Sequence, residues 1–277
     1  MFIDTKGEKL VGDKAIVAAL KAPDEDGNIL IHYAKNIRVL NFLLSKAKEL
    51  KCGNLVRFRR RDGDTPLHYA CEKGVLRTFC TVCNAECAHA NPLRICSLCT
   101  HTNCEHDAVK YCMQCISDGE KKRKICHHEK QKIPLMVKSL IYHGADVNAK
   151  NKALETPIMF AAKHNYTEII ELLLNHGANV DQKDDDNYTA LLVAAENGNI
   201  KATELLLRNG ACIEDTEKHD RNMIFLAASE DNFEYLKYLF EQSPCKEKMA
   251  ENLNQRDNYS NTALHVAAEK GYYKLGF

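Results

Sequence analysis

Apolar positions along this chain follow two superimposed periods. Within short runs they recur at helical spacing, as in Thr167-Glu168-Ile169-Ile170-Glu171-Leu172-Leu173-Leu174, a pattern that predicts a helix with one buried flank. Over longer distances the whole pattern returns after 33 residues: Glu155-Thr156-Pro157-Ile158-Met159-Phe160-Ala161-Ala162 recurs as Tyr188-Thr189-Ala190-Leu191-Leu192-Val193-Ala194-Ala195, then as Arg221-Asn222-Met223-Ile224-Phe225-Leu226-Ala227-Ala228. The fullest copies are Asp62-Gly63-Asp64-Thr65-Pro66-Leu67-His68-Tyr69-Ala70 and Asn261-Thr262-Ala263-Leu264-His265-Val266-Ala267-Ala268. A degenerate copy is Gly27-Asn28-Ile29-Leu30-Ile31-His32-Tyr33-Ala34. Each copy predicts a short first helix, capped by the Thr hydroxyl, with Pro at the first helical position where its missing N–H does no harm, and with Leu and Ala turned to neighbouring helices. A second helix follows, and Gly144, Gly177 and Gly210 stand where a left-handed residue ends it.

A 33-residue period with this signature resembles the ankyrin repeat. The resemblance covers six units and implies an all-α ankyrin-repeat solenoid, in which each unit lends its apolar flank to the next. His68 and His265 belong to the shared motif, so structural hydrogen bonding is expected of both rather than catalysis or metal binding. Two irregularities interrupt the register. Asn222 and Thr262 stand 40 positions apart, so about seven extra residues around Ser243 to Glu251 lengthen one inter-repeat loop. Thr65 and Thr156 stand 91 apart, 58 more than one period. Gly74 matches Asn165 and Met136-Val137 match Ile169-Ile170, which puts the surplus at residues 75–132, in the turn between the two helices of one unit. A turn accepts a self-contained insertion when its ends can meet, because closure entropy grows slowly with loop length. The chain is therefore read as N-terminal units at 1–74, a Cys/His-rich insert at 75–132 whose Lys-rich residues 117–132 return the chain, and further units at 133–277. The last unit stops at Phe277 before a second helix, which fits a stretch of a longer protein.

Composition narrows the function classes. A 45% hydrophobic and 27% charged content is ordinary for a folded globular chain. Lys+Arg and Asp+Glu balance at 38 each, so no net basic field is available for a phosphate backbone and nucleic acid is not an expected partner. The basic run Lys121 to Lys124 reads as a solvated linker. No stretch approaches the roughly 18 apolar residues of a membrane span. The opening Met1-Phe2-Ile3-Asp4-Thr5-Lys6-Gly7 lacks the basic-then-apolar order of a signal peptide, so the segment reads as cytoplasmic, with no membrane contact of its own. No Gly-rich phosphate loop, Gly-x-Ser-x-Gly or His-Glu-x-x-His occurs. The repeats are expected to bind other proteins and not to catalyse; exposed loop residues such as Asp184-Asp185-Asp186-Asn187-Tyr188 are candidates for that contact.

The cysteines add a second device. Nine of 13 lie between Cys80 and Cys126, and without a secretory signal such clustering favours metal ligation over a disulfide framework. Cys-x-x-Cys pairs stand at Cys80/Cys83, Cys96/Cys99 and Cys112/Cys115, and a pair of this spacing offers two thiolates to one tetrahedral zinc. One or two zinc ions would stabilise a domain of about 40 residues whose core is too small to fold unaided. The order Cys80-x2-Cys83, Cys99-x-His101-x2-Cys104-x2-Asp107, Cys112-x2-Cys115 resembles the RING-finger family. That resemblance implies two interleaved sites, with Cys80, Cys83, Cys104 and Asp107 on one ion and Cys99, His101, Cys112 and Cys115 on the other. It also implies Val82 as an aliphatic contact to a ubiquitin-conjugating enzyme. The sequence departs from the family in three ways: Asp107 stands where a ligand is usually Cys, no Pro separates the last pair, and Cys96 competes for Cys99. His106 is an alternative to Asp107, and Cys126, His127 and His128 are left over for a B-box-like site. A reduced cysteine-rich loop without metal and an intervening sequence retained in the message are the alternatives to any zinc site.

Arg61-Asp62-Gly63-Asp64-Thr65-Pro66-Leu67-His68-Tyr69-Ala70-Cys71, with the linker leading to Leu253-Asn254-Gln255-Arg256-Asp257, resembles the cytosolic ankyrin region of TRPA-type cation channels. Three functions are thereby open. The leading expectation is a non-catalytic protein-interaction scaffold with a zinc-binding insert. The others are a RING-type E3 ubiquitin ligase whose repeats select substrate, and the cytosolic arm of a TRPA-like channel.

Overall fold

The computed structural model describes residues 12–34, 37–73, 77–80, 85–86, 132–243, 247–248 and 252–272, with the backbone alone at 77–80, 85–86 and 132–133. The chain divides into two compact units, Met1–Gly74 with Met136–Phe277, and Val75–Leu135. In the larger unit α1 (Asp13–Lys21) and α2 (Ile37–Glu49) come first, followed by α3 (Pro66–Lys73) and α4 (Leu135–Tyr142). Three pairs then repeat: α5 (Pro157–Lys163) with α6 (Thr167–Asn175), α7 (Ala190–Glu196) with α8 (Ile200–Arg208), and α9 (Met223–Ser229) with α10 (Phe233–Lys237). α11 (Ala263–Glu269) follows.

The repeat pattern explains the packing. α3, α5, α7, α9 and α11 lie in one row, each against the next, and α6 packs beside α8 in a second row. Buried Ala70, Ala161, Ala194, Ala227 and Ala267 hold equivalent motif positions and let the first helices approach closely. The second helices contribute Ile169, Ile170 and Leu173, then Ala202, Thr203 and Leu206, all fully buried. Such a stack gains its stability from neighbour-to-neighbour interfaces, not from one central core. The buried Thr203 hydroxyl bonds to the buried Tyr235 hydroxyl of the next unit at 2.9 Å.

Helix ends follow the expected chemistry in part. Gly177, at φ +85°, closes α6: its N–H donates to the Leu174 carbonyl at 3.0 Å and that of Ala178 to Leu173 at 3.0 Å, the doubled bond of a left-handed helix terminus. The Thr caps divide. Thr189 accepts from the Leu192 N–H at 3.4 Å, and Asn222 does the same for Phe225 at 2.9 Å. The Thr65 and Thr262 hydroxyls bond instead to the ring of the histidine three residues on, at 2.8 Å each. In the degenerate first unit, Ile29 to Ala34 form successive tight turns and not a helix; Ile29 stands where every other unit places a Thr or Asn able to cap the helix. The lengthened loop begins where α10 runs into a π turn, Tyr238–Gln242, ahead of the buried Ser243.

The smaller unit, which corresponds to the Cys/His-rich insert and not to the all-α solenoid, contains three short strands. β1 (Arg77–Cys80) pairs antiparallel with both β2 (Ala85–Glu86) and β3 (Lys132–Ile133), in the order β2-β1-β3. The register sets Phe79 against Glu86 and Cys80 against Ala85 on one side, and Arg77 against Ile133 and Thr78 against Lys132 on the other. The chain therefore leaves and re-enters as an antiparallel pair.

Candidate functional site

Each unit enters its first helix through a five-residue reversal, here called a finger: Asp24–Asn28, Arg60–Asp64, Asn151–Glu155, Asp184–Tyr188, Glu217–Arg221 and Asp257–Asn261. In all six the N–H of the first residue donates to the carbonyl of the fifth, at 2.9 to 3.2 Å, and the fourth residue has a left-handed φ. The first side chain accepts from the third and fifth N–H groups where it is Asp, Asn or Glu; Asp184 does so at 2.9 and 2.8 Å and Asp257 at 2.9 and 2.8 Å. Such local side-chain bonds specify a reversal at low cost.

Consecutive fingers are joined by one backbone bond each. The second N–H of a finger donates to the third carbonyl of the finger before it: Arg61 to Asp26 at 3.4 Å, Lys152 to Asp62 at 2.9 Å, Asp185 to Ala153 at 3.0 Å, Lys218 to Asp186 at 2.9 Å and Asn258 to His219 at 3.0 Å. The result is a continuous ladder of exposed tips on the edge of the stack.

The ladder crosses the 87 positions between Asp64 and Asn151 without a break. Buried Asp64 accepts from Asn151 Nδ2 at 2.9 Å, and Arg59 donates to the carbonyls of Gly63, at 3.0 Å, and Lys150. The Thr65 N–H and hydroxyl both reach His68 Nδ1, at 3.1 and 2.8 Å, so the ring proton is on Nε2, which donates to the Glu155 carbonyl at 3.1 Å. His68 is thus a structural tie between units, as the motif implied, and burial lowers its pKa below the ordinary imidazole value. His32, at the same position in the first unit, accepts the Ile29 N–H at Nδ1 at 3.1 Å, and burial holds its pKa down to about 4.

These rings make stability depend on pH with a definite sign. A group whose folded pKa is depressed binds fewer protons than its unfolded counterpart, so its contribution is full above the unfolded value near 6.5 and is lost as pH falls toward about 4. The urea midpoint is expected to drop between pH 7 and pH 5, and to drop less in His32→Leu, which matches Leu192 of a later unit. An equal drop in both proteins, followed by circular dichroism, would show that His32 does not carry the effect.

On the face between the fingers and the first helices, Tyr69 stands under two cations, with the Arg60 guanidinium at 5.9 Å and the Lys73 ammonium at 5.5 Å from its ring. Phe160 meets His68 edge-on at 5.7 Å. Of the loop singled out from sequence, only Asp185 and Asn187 are exposed. Asp184 is turned onto its own finger, Asp186 pairs with Lys218 at 2.5 Å, and the Tyr188 hydroxyl donates to Glu196 at 3.1 Å. The ladder was not foreseen; the Asx-type residue opening most copies marks each finger in the sequence, but not the backbone bonds that join one finger to the next.

Of the eight metal-ligand candidates, Cys80 ends β1 and is described by its backbone alone, and Cys83, Cys99, His101, Cys104, Asp107, Cys112 and Cys115 lie outside the described residues. Val82, Cys96, His106, Cys126, His127 and His128 lie outside them too. Among the described residues, no three His, Cys, Asp or Glu gather as a metal site, and no helix is long and apolar enough to cross a membrane.

Comparison with known families finds ankyrin repeats at two places. A family model described as ankyrin repeats (3 copies) matches residues 127–217, and one described as ankyrin repeat matches residues 62–92. No curated protein matches the chain. The fingers and helix pairs beyond residue 217 repeat the same architecture.

Proposed function

We propose that this protein is a non-catalytic interaction scaffold that recognises other proteins through the finger row and the adjoining first-helix face. The observation that carries the reading is the unbroken ladder of exposed tips, each fixed by its own side chain and by its neighbour's backbone. A surface held this way loses little conformational entropy on binding. A photo-crosslinking residue placed at Asp185 or Asn187, in cells, is expected to trap a discrete set of proteins that one at Glu171, exposed on α6, does not. Equal capture from both positions, or capture of chaperones alone, would reject the scaffold.

The excursion at 75–135 is proposed to be held by zinc. Support comes from the Cys-x-x-Cys spacing, which offers paired thiolates to a tetrahedral ion, and from Cys80, the first of these residues, standing at the end of β1 with its backbone paired to Ala85. Elemental analysis of the purified protein, with sequencing of the transcript across residues 75–132, checks it. Two zinc ions per chain fit the interleaved arrangement that ubiquitin ligation would need, one fits a simple knuckle, and none removes the zinc reading.

A further inference from the structure

We propose that the second and third fingers, with the first-helix face beside them, form a docking site for a short acidic segment of a partner protein that carries an apolar anchor. The inference rests on the scaffold reading and assigns it a location and a partner chemistry.

The charges are unevenly spread along the ladder. Arg57, Arg59, Arg60 and Arg61 follow one another closely, and among the described residues only Arg60 of the four meets carboxylates, those of Asp62 at 3.4 Å and Asp64 at 3.9 Å. Arg59 is held by two backbone carbonyls, which fix its guanidinium without neutralising it. The exposed second residue is Arg61 in one finger and Lys152 in the next, whereas the flanking fingers carry Glu25 and Asp185 there. A basic window two fingers wide is thus bounded by acidic tips.

The apolar character changes at one border of that window, after the third unit. The motif position held by Tyr69 is aromatic in the first three units, Tyr33, Tyr69 and Phe160, and aliphatic in the rest, Val193, Leu226 and Val266. Aromatic side chains beside arginines are the combination that most often dominates a protein interface. Leu154 adds a separate sign. It occupies the left-handed fourth finger position at φ +60°, where the other fingers place Gly27, Gly63, Asn187, Asp220 and Ser260, and it is 41% exposed. A branched apolar residue is strained in that conformation and gains nothing from solvent, so local stability does not account for it. Contact with a partner does.

The width of the window selects the occupant. Units stack roughly 10 Å apart, so the basic stretch matches about six residues of extended peptide. A nucleic acid running along the ladder would meet Glu25 on one side and Asp185 on the other.

The test pans the full-length protein against a random 12-residue peptide library displayed on phage. The selected pool is expected to be rich in Asp and Glu around an aromatic or aliphatic residue. A synthetic peptide from it should bind at least tenfold more weakly to Arg61→Glu/Lys152→Glu. Lys218→Glu, a charge change of the same sign on a distant finger, should alter affinity less than twofold. Leu154→Gly should also weaken binding at least tenfold while raising the melting temperature, two opposite shifts that a purely structural residue would not give. A pool without acidic bias, no selected pool, equal loss in Lys218→Glu, unchanged affinity in Leu154→Gly, or equal competition by a 12-nucleotide single-stranded DNA would each overturn the proposal. Specific crosslinking at Asp185 would still stand in those cases, so the scaffold reading fails separately.

Discussion

Leu191→Ala is expected to cost about 2–5 kcal/mol of stability, and Leu264→Ala, at the same motif position, under about 1 kcal/mol. The two leucines differ only in what covers them. Leu191 is 1% exposed on α7, between α5 and α9, and Leu67, Ile158 and Ile224 are equally enclosed; Leu264, on α11, is 42% exposed. Removing three carbons from the enclosed site forfeits their transfer energy and leaves a cavity that close-packed helices cannot fill, whereas the open site loses only surface already shared with water. Because each unit leans on its neighbours, the central loss should spread to both sides. Urea unfolding followed by circular dichroism at 222 nm measures it. Equal midpoints for the two variants would contradict neighbour-to-neighbour packing as the source of stability.

How far the sequence reveals this architecture depends on the range of the interaction. Thr-Pro-Leu-His at Thr65 to His68 is a local pattern, and the helix it starts, the row it joins and the structural use of His68 follow from it directly. The 91-residue gap between Thr65 and Thr156 likewise locates the excursion, since counting against a fixed period needs no knowledge of folding. What the gap conceals is how the excursion closes: Lys132–Ile133 is a two-residue strand, too short for alternation to register, and its partner Arg77–Cys80 is distant in the chain. The finger ladder escapes for a different reason. Its bonds join backbone atoms of different units, and backbone groups carry no residue signature. The π turn at Tyr238–Gln242 is hidden because its apolar residues, Tyr238 and Leu239, continue the helical spacing. Leu154 is the instructive misfit, since local rules would put Gly or Asn where a left-handed residue is required.

Gly63→Ala is expected to destabilise the protein by about 3 kcal/mol, against about 1 kcal/mol for Gly177→Ala. Both glycines have nearly the same backbone, φ +88° and +85°, so the intrinsic cost of an L-residue is shared. Their surroundings differ. A Cβ on Gly177 meets nothing within 4 Å, but one on Gly63 would stand 2.7 Å from the Lys152 nitrogen and 3.1 Å from the Asn151 carbonyl carbon. Those are backbone atoms and cannot swing aside, so the second and third fingers must part. Parting them stretches the Lys152 bond to Asp62 and the Asn151 bond to buried Asp64, each 2.9 Å long, and a buried carboxylate stripped of its donor costs more than the bond itself returned. These contacts tie the first two fingers to the remainder across the whole excursion, so Gly63→Ala should also split one unfolding transition into two, with the N-terminal units melting first. Gly177→Ala should keep a single transition. If the two variants melt alike in differential scanning calorimetry, close approach of the fingers is not what carries the stack past the inserted residues.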